Sequence, residues 1–507
     1  MKKTRAKRAA LIALLAAVSL LLGGCVSRIE ERPMADLSDV AIAPGVPAPQ
    51  ADDADDMAMQ AMLYFLEEDG TTLAPVARQI TAVGGESRAQ AALAALLAGP
   101  TAGEAAVWPE LGVSKSVRLL EVSSGVATVD LPANARMLPQ ETLYAVRMAI
   151  ANTLTEFSEI SYVNVLIGGR EEGFDLGGTL PVGTLTRMEE LDTGTRYHRM
   201  DEARQSVDGI TLMTTLYFPA ADGSMVLPEV RNVRYQEAAP IEYLYTLLEE
   251  LGKGTENPLA SRDVPPPLDY IREMPEIVRT EDGAYRAIEI RFTSEIDDAL
   301  AWAGMTRGVY IAMLTDTLMG FVPGVEGLKI SIGEEDVSSL DAAHTPDGQA
   351  LSFGQTLATR GDFVGYVGAP AVLYAREENG DGLVRVQCVL QQAKADNPRE
   401  RLNGLMRLAE DENVFALPYG LEDRDILAVH VGEKEIAVNL SARFRRMLEM
   451  LEPNAERAAI YAMVNTLTEG MGSRKVIFFF EGEQVERLAG GLEMRGAFRR
   501  NPGMVVN

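Results

Sequence analysis

Apolar and polar positions fall into a recurring order of short elements. "AMLYFL" (residues 61–66) has the pattern of a strand, Asp69-Gly70 that of a tight turn, and residues 73–80 that of the returning strand. An alanine- and leucine-rich run over 88–98 predicts a helix, stopped by Gly99-Pro100. Residues 117–122 and 126–131 alternate around Ser124-Gly125 and predict a second hairpin. Residues 140–157 place Val146, Ile150, Leu154 and Phe157 on one helical face, and 162–167 form an apolar strand. The glycine-rich "GFDLGGTLPVGTL" that follows predicts a short hairpin.

The same order then recurs. Residues 215–233, "TLYFPAADGSMVLPEVRNV", align without a gap on 62–80, "MLYFLEEDGTTLAPVARQI", so that Tyr64 answers Tyr217, Gly70 answers Gly223, Pro75 answers Pro228 and Arg78 answers Arg231. A worn third copy begins at Val372, with Arg385 where proline stood. "NTLTEF" (152–157) is answered by "DTLMGF" (316–321) and "NTLTEG" (465–470), and the glycine-rich tail by "AGGLEMRGAF" (489–498). Whole-domain repetition fixes architecture. The chain reads as α+β, with three tandem β-β-α-β-β-α-β domains over 57–187, 209–363 and 369–507 and a linker over 188–208. Ile150, Leu154, Leu314, Leu318, Met463 and Leu467 are the expected core of the long second helices.

The first 56 residues differ. Lys2, Lys3, Arg5, Lys7 and Arg8 precede an apolar run over 9–22, too short for a spanning helix, which ends in Leu22-Gly23-Gly24-Cys25. Small residues before a single cysteine resemble a bacterial lipobox. The resemblance implies a signal peptide over 1–24, cleavage between Gly24 and Cys25, and a lipid on Cys25. An ordinary signal peptide with a stray cysteine is the plainer alternative. Residues 25–56, with Pro44, Pro47, Pro49 and four clustered aspartates, read as a flexible acidic tether.

Composition narrows the function classes. The net charge of −27 argues against nucleic acid and against broad docking on anionic lipid. Cleavage before Cys25 removes five basic residues and no acidic one, which takes the charge to −32. The two cysteines, Cys25 and Cys388, do not suggest a disulfide framework.

The Leu-Tyr-Phe strand start, "LLAGP" (96–100), "VATVDL" (126–131) and "NTLTEF", in this order, resemble the GerMN domain of sporulation and spore-germination lipoproteins. The resemblance implies an α+β domain similar to the ring-building motifs of secretion machines, assembling side by side on a membrane surface. It brings no catalytic residues. Two such domains are usual, so a third is a departure.

Little in the sequence points to chemistry. His198, His344 and His430 lie far apart, and no zinc, phosphate-loop or nucleophile-elbow motif is present. Asp130 ends a strand where a carboxylate could act as acid or base, but its counterparts are Arg291 and Asn439, which predicts a solvated strand end. "ENGDG" (378–382) faintly resembles a calcium loop, yet coincides with the hairpin turn. Cys388 reads as a small buried hydrophobe. Asn152, Asp316 and Asn465, recurring inside the second helix, are expected to hydrogen-bond a neighbouring loop. No cofactor and no metal is expected. The expectation is a non-enzymatic, lipid-anchored scaffold on the outer face of the cell membrane. Its partners would be other envelope or sporulation proteins, with self-association or ring assembly. The alternative is an extracytoplasmic lipoprotein that binds a cell-wall fragment or small solute.

Overall fold

The computed structural model describes residues 46–111, 121–173, 179–203, 209–279, 286–377, 382–408 and 414–506. Unit 1 begins with the hairpin β2 (Met57–Leu66) and β3 (Leu73–Ala82), in register with Tyr64 opposite Pro75. Asp69 builds its turn: Oδ1 accepts from the Thr71 and Thr72 N–H groups at 2.8 Å, and Gly70 takes φ 73°, where a side chain would be strained. Helix α1 (Arg88–Leu97) follows, capped by Ser87, whose hydroxyl accepts from Gln90 N–H. Then come β4 (Glu121–Ser123) and β5 (Val126–Leu131), helix α2 (Gln140–Leu154) and β6 (Tyr162–Ile167). β4 pairs antiparallel with β5, and β5 pairs parallel with β6, so α2 is the crossover of a β-α-β turn.

The same order appears twice more. In the second unit it runs through the hairpin β7 (Ile210–Pro219) and β8 (Val226–Tyr235), α3 (Pro240–Gly252), β9 (Ile271–Arg279), β10 (Arg286–Phe292), a short α4 (Glu295–Trp302), the long α5 (Arg307–Met319) and β11 (Gly327–Ile332). In the third it runs through β12 (Gly368–Glu377), β13 (Leu383–Gln391), α6 (Pro398–Leu408), β14 (Ile426–Val431), β15 (Glu435–Leu440), a short α7 (Ala442–Glu449), the long α8 (Pro453–Thr468) and β16 (Lys475–Phe480). Tyr374 stands opposite Arg385, as the repeat alignment expects. β10–β11 and β15–β16 are parallel pairs, as β5–β6 is. The strand β9 completes the expected second pair of strands in unit 2, whereas the short helices α4 and α7 depart from the order read in the sequence. Residues 112–120, 174–178 and 378–381, which hold parts of the expected second hairpin, glycine-rich tail and "ENGDG" turn, lie outside the described residues. Within that tail, Leu185 makes a single bridge to Val163.

The long helices are buried on all sides: every residue of α2 from Leu143 to Leu154, and of α5 from Gly308 to Met319, is buried. A helix in that position lies inside a core and must satisfy its own polar side chains. Ile150, Leu154, Leu314, Leu318, Met463 and Leu467 have no exposed surface. Units 1 and 2 share one continuous apolar core that runs from Ala61 to Val367, whereas the main cluster of unit 3 spans Leu373 to Phe498.

The end of the stretch expected as a tether lies against unit 3. Residues 53–54 form β1, which pairs parallel with β14 through Asp53↔His430 and Ala54↔Val431. Val46 and Ala48, with Ala497, pack on Ala437, Ile477 and Phe479. Asp52 accepts from Arg399 at 2.6 and 3.0 Å and from Val429 N–H at 2.9 Å, and Asp53 meets His430 Nδ1 at 2.7 Å. Partial burial pushes the Asp52 carboxyl up, but the Arg399 guanidinium and the Val429 N–H outweigh it and hold the group below its usual range. These aspartates bind an arm to a sheet edge instead of being simply solvated.

Candidate functional site

The polar residues of the long helices build one device in each unit. In unit 1, Thr153 Oγ1 accepts from Tyr64 N–H at 3.0 Å, which ties the helix to the hairpin. Asn152 makes a two-way clamp on the tail: Nδ2 donates to Met188 O at 2.9 Å and Oδ1 accepts from Met188 N–H at 2.8 Å. One turn on, Glu156 accepts from Tyr64 Oη at 2.9 Å and pairs with Arg187 at 2.6 Å, and Arg187 lies over the Tyr64 ring at 5.7 Å. Unit 3 repeats all of this. Thr466 Oγ1 accepts from Tyr374 N–H at 3.0 Å, Asn465 clamps Asn501 at 3.2 and 2.9 Å, and Glu469 accepts from Tyr374 Oη at 2.8 Å. Arg500 bonds both Glu469 and Tyr374 Oη and lies 5.4 Å from the ring centre.

Unit 2 keeps the frame and changes the charges. Thr317 Oγ1 still accepts from Tyr217 N–H at 2.9 Å, and Arg360 lies over the Tyr217 ring at 5.3 Å. The clamp asparagine is now Asp316, and the glutamate is Gly320. The missing carboxylate comes from unit 1: Glu121 on β4 meets Arg360 at 3.1 Å, while Asp316 Oδ1 lies 3.3 Å from it and Asp316 O accepts from it at 2.9 Å. Arg360 also donates to Tyr217 Oη at 3.3 Å, and Thr128 of unit 1 meets that hydroxyl at 3.4 Å. Two carboxylates therefore share one buried guanidinium across the boundary between units. Burial pushes the Asp316 carboxyl up to about 7 against the pull of Arg360, and pushes Glu121 up as well, with Asp130 adding to it. Further bonds join the two units: Asn164 Nδ2 donates to Thr215 Oγ1 at 3.0 Å, and the Glu171 N–H donates to Met319 O at 2.9 Å.

The residues singled out from the sequence stand apart from one another. Asp130 and Asn439 are not solvated strand ends. Asp130 Oδ1 accepts from Gly169 N–H at 2.7 Å and Asn439 Oδ1 from Gly482 N–H at 2.9 Å, so both pin the loop after the parallel strand. Arg291 is exposed and pairs with Glu273 and Glu289. Asn152 and Asn465 hydrogen-bond neighbouring loops, whereas the Asp316 side chain meets Arg360 as an ion pair and only its backbone carbonyl accepts a hydrogen bond from it. His198 lies 3.4 Å from Glu141, the His344 carbonyl accepts from Tyr366 Oη, and His430 faces the arm. Cys388 lies opposite Ala371, where Arg78 lies opposite Ala61 and Arg231 opposite Thr214. Those arginines bond the last carbonyls of α1 and α3, and burial instead pushes the Cys388 thiol up to about 11. Gly24 and Cys25 lie outside the described residues. The tyrosine–glutamate–arginine clamp was not read from the sequence, although the glutamate kept in both "NTLTE" segments and an arginine in each tail were its visible signal.

Among the described residues, two clefts open between the units. One, of about 590 Å³, is lined by Gln90, Ser123 and Ser124 of unit 1 and by Gln392, Asp396 and Arg401 on the far side. The other, of about 670 Å³, is lined by Glu229, Arg231, Asn257 and Pro370 among others. Among the described residues no aromatic side chain lines either. Among the same residues no group of three or more histidines, cysteines or carboxylates is placed to hold a metal, and no helix is long and apolar enough to cross a membrane.

Residues 62–173 and 372–486 match the Germane family, described as sporulation and spore germination. Among solved structures, the tandem GerMN domains of the sporulation protein GerM from Bacillus subtilis are similar at 16% identity over 59% of this chain and 100% of that one, with a TM-score of 0.22. A putative lipoprotein from Clostridium perfringens is similar at 18% identity over 26% of this chain and 88% of that one, with a TM-score of 0.17. The comparison with curated proteins gives no match. The two matched regions are units 1 and 3, which keep the asparagine and glutamate of the clamp, and not unit 2, which has lost both.

Proposed function

We propose that this chain, two of whose units match the Germane family of sporulation and spore germination, works there by assembly and not by turnover. One observation carries this reading: the polar side chains of the long helices are spent on structural ties, with the full clamp built in units 1 and 3 and a recharged version of it, borrowing Glu121 from unit 1, in unit 2. An enzyme needs one precisely held constellation with a free reacting group. A scaffold gains from repetition, because linked weak contacts add through effective concentration. The aromatic-free clefts favour this over recognition of a cell-wall fragment, which calls for an apolar, aromatic lining with a few convergent polar groups. In this reading Cys25 carries the lipid, the chain stands on the outer face of the membrane, and its partners are other envelope proteins of sporulation.

The test is crosslinking followed by purification from sporulating cells, with Cys25 intact. The expected result is a defined set of envelope proteins that disappears in a Cys25→Ala strain. Recovery of the chain alone, with the same yield from both strains, would count against it.

A further inference from the structure

The three most exposed large apolar side chains among the described residues occupy one locus of the repeat. Met137 (82% exposed), Trp302 (83%) and Met450 (84%) each stand at or just past the end of the short helical segment that leads into the long helix. A single exposed apolar residue is ordinary. The same locus exposed in all three units is a pattern that core packing does not explain.

In units 2 and 3 the exposed residue ends a charged stripe. On α4, Glu295, Asp298 and Trp302 follow the i, i+3, i+7 spacing that places side chains on one helical face. On α7, Arg443, Arg446 and Met450 follow the same spacing. The signs are opposite: α4 carries Glu295, Asp297 and Asp298 with no basic residue, and α7 carries Arg443, Arg445 and Arg446 with Glu449 as its only acid. Some of these charges are already used, Asp297 by Arg307, Arg443 by Asp425 and Arg445 by Glu449. Asp298 and Arg446 are exposed and make no hydrogen bond or ion pair with the described residues. The equivalent segment of unit 1 has no charged stripe.

We infer that α4 of one copy docks on α7 of a second copy of this chain. The inference rests on the assembly reading above and names one contact of it. Side by side and parallel, Glu295 faces Arg443, Asp298 faces Arg446, and Trp302 meets the Met450 thioether, a favourable sulfur–ring contact. The contact joins unlike surfaces, so it is made once between successive copies or twice about a two-fold axis. A chain with net charge −27 repels its own copies unless a basic site is matched to an acidic one, and the exposed Arg446 on α7 offers such a site to the exposed Asp298 on α4.

Sedimentation equilibrium of the full chain in density-matched detergent micelles tests this. The wild type should self-associate, and Asp298→Arg or Arg446→Asp should each weaken association by about tenfold or more. Mixing the two variants should restore it, because each supplies the partner the other has reversed. In a Trp108→Phe background, Trp302 emission should shift to the blue with rising concentration and stay unshifted in Arg446→Asp. Unchanged melting of both variants excludes unfolding. A wild type that stays monomeric, swaps without effect, or a mixture that does not recover would overturn the inference. None of these would touch the assembly reading, which allows foreign partners and is tested by purification from cells.

Discussion

Asp316→Asn should stabilise the protein at neutral pH and leave it unchanged in acid. The side chain is buried with Arg360, Glu121 and Tyr217 around it, and Asp130 lies behind Glu121. One guanidinium faces two carboxylates, so folding favours a protonated acid. An aspartate in the unfolded chain has a pKa of about 3.9, whereas Asp316 in the fold is pushed up to about 7. A raised folded value means that this group's contribution is fully present below the unfolded value and is lost as pH rises towards the folded one. The loss is about 1 kcal/mol per pH unit, hence on the order of 3 kcal/mol between about pH 4 and pH 7. Asparagine carries no proton to lose and leaves Glu121 paired with Arg360. Melting temperatures and urea midpoints of the two proteins should coincide near pH 4 and diverge in favour of the variant by about pH 8. Glu171 is buried and also pushed up to about 7, so the wild type keeps a second acid-favoured group, and only the difference between the proteins reports on Asp316. A variant that is equally destabilised at both pH values would refute the shared-guanidinium account.

Thr466→Val leaves the Tyr374 N–H buried without its acceptor and should cost about 1–3 kcal/mol in urea unfolding, with Thr153→Val costing a similar amount in unit 1. Leu154→Ala opens a cavity in a fully buried helix and should cost about 2–5 kcal/mol. Asp52→Ala removes a half-exposed anchor of the arm: limited proteolysis within residues 46–56 should quicken while the melting temperature moves little, since partly exposed pairs contribute about 0–1 kcal/mol. The Cys388 thiol, pushed up to about 11, should react slowly with a thiol reagent near neutral pH and faster as pH approaches that value, because only the thiolate attacks.

The repeat was legible because strands, turns and long helices are written in local patterns. The Asp69-Gly70 turn follows from residue type, and the register of Tyr374 with Arg385 and the six core positions of the long helices follow from helical periodicity in unit 1 carried over by the repeat alignment. What joins the units was not legible. Glu121 and Arg360 lie 239 positions apart, and nothing local marks Glu121 as the stand-in for the glutamate that Gly320 replaced. The arm was read by its prolines and repelling aspartates, because its partners, Arg399 and His430, are more than three hundred residues away. The variation among Asp130, Arg291 and Asn439 has the pattern of a solvent-tolerant position. In two of the three, an oxygen accepts the same loop N–H, a role that an acid and an amide fill equally. The clefts and exposed helix tips depend on how three units meet, which no single segment encodes.

The claim that the protein assembles and does not turn over a substrate is tested most directly by spore formation in cells whose only copy carries Asp130→Ala, His430→Ala or Cys388→Ala. Each variant is checked for normal folding and export. The account predicts spore yield and germination equal to those of the wild type for all three. Loss of function from any one of them, with folding and export intact, would contradict it and point to a reaction.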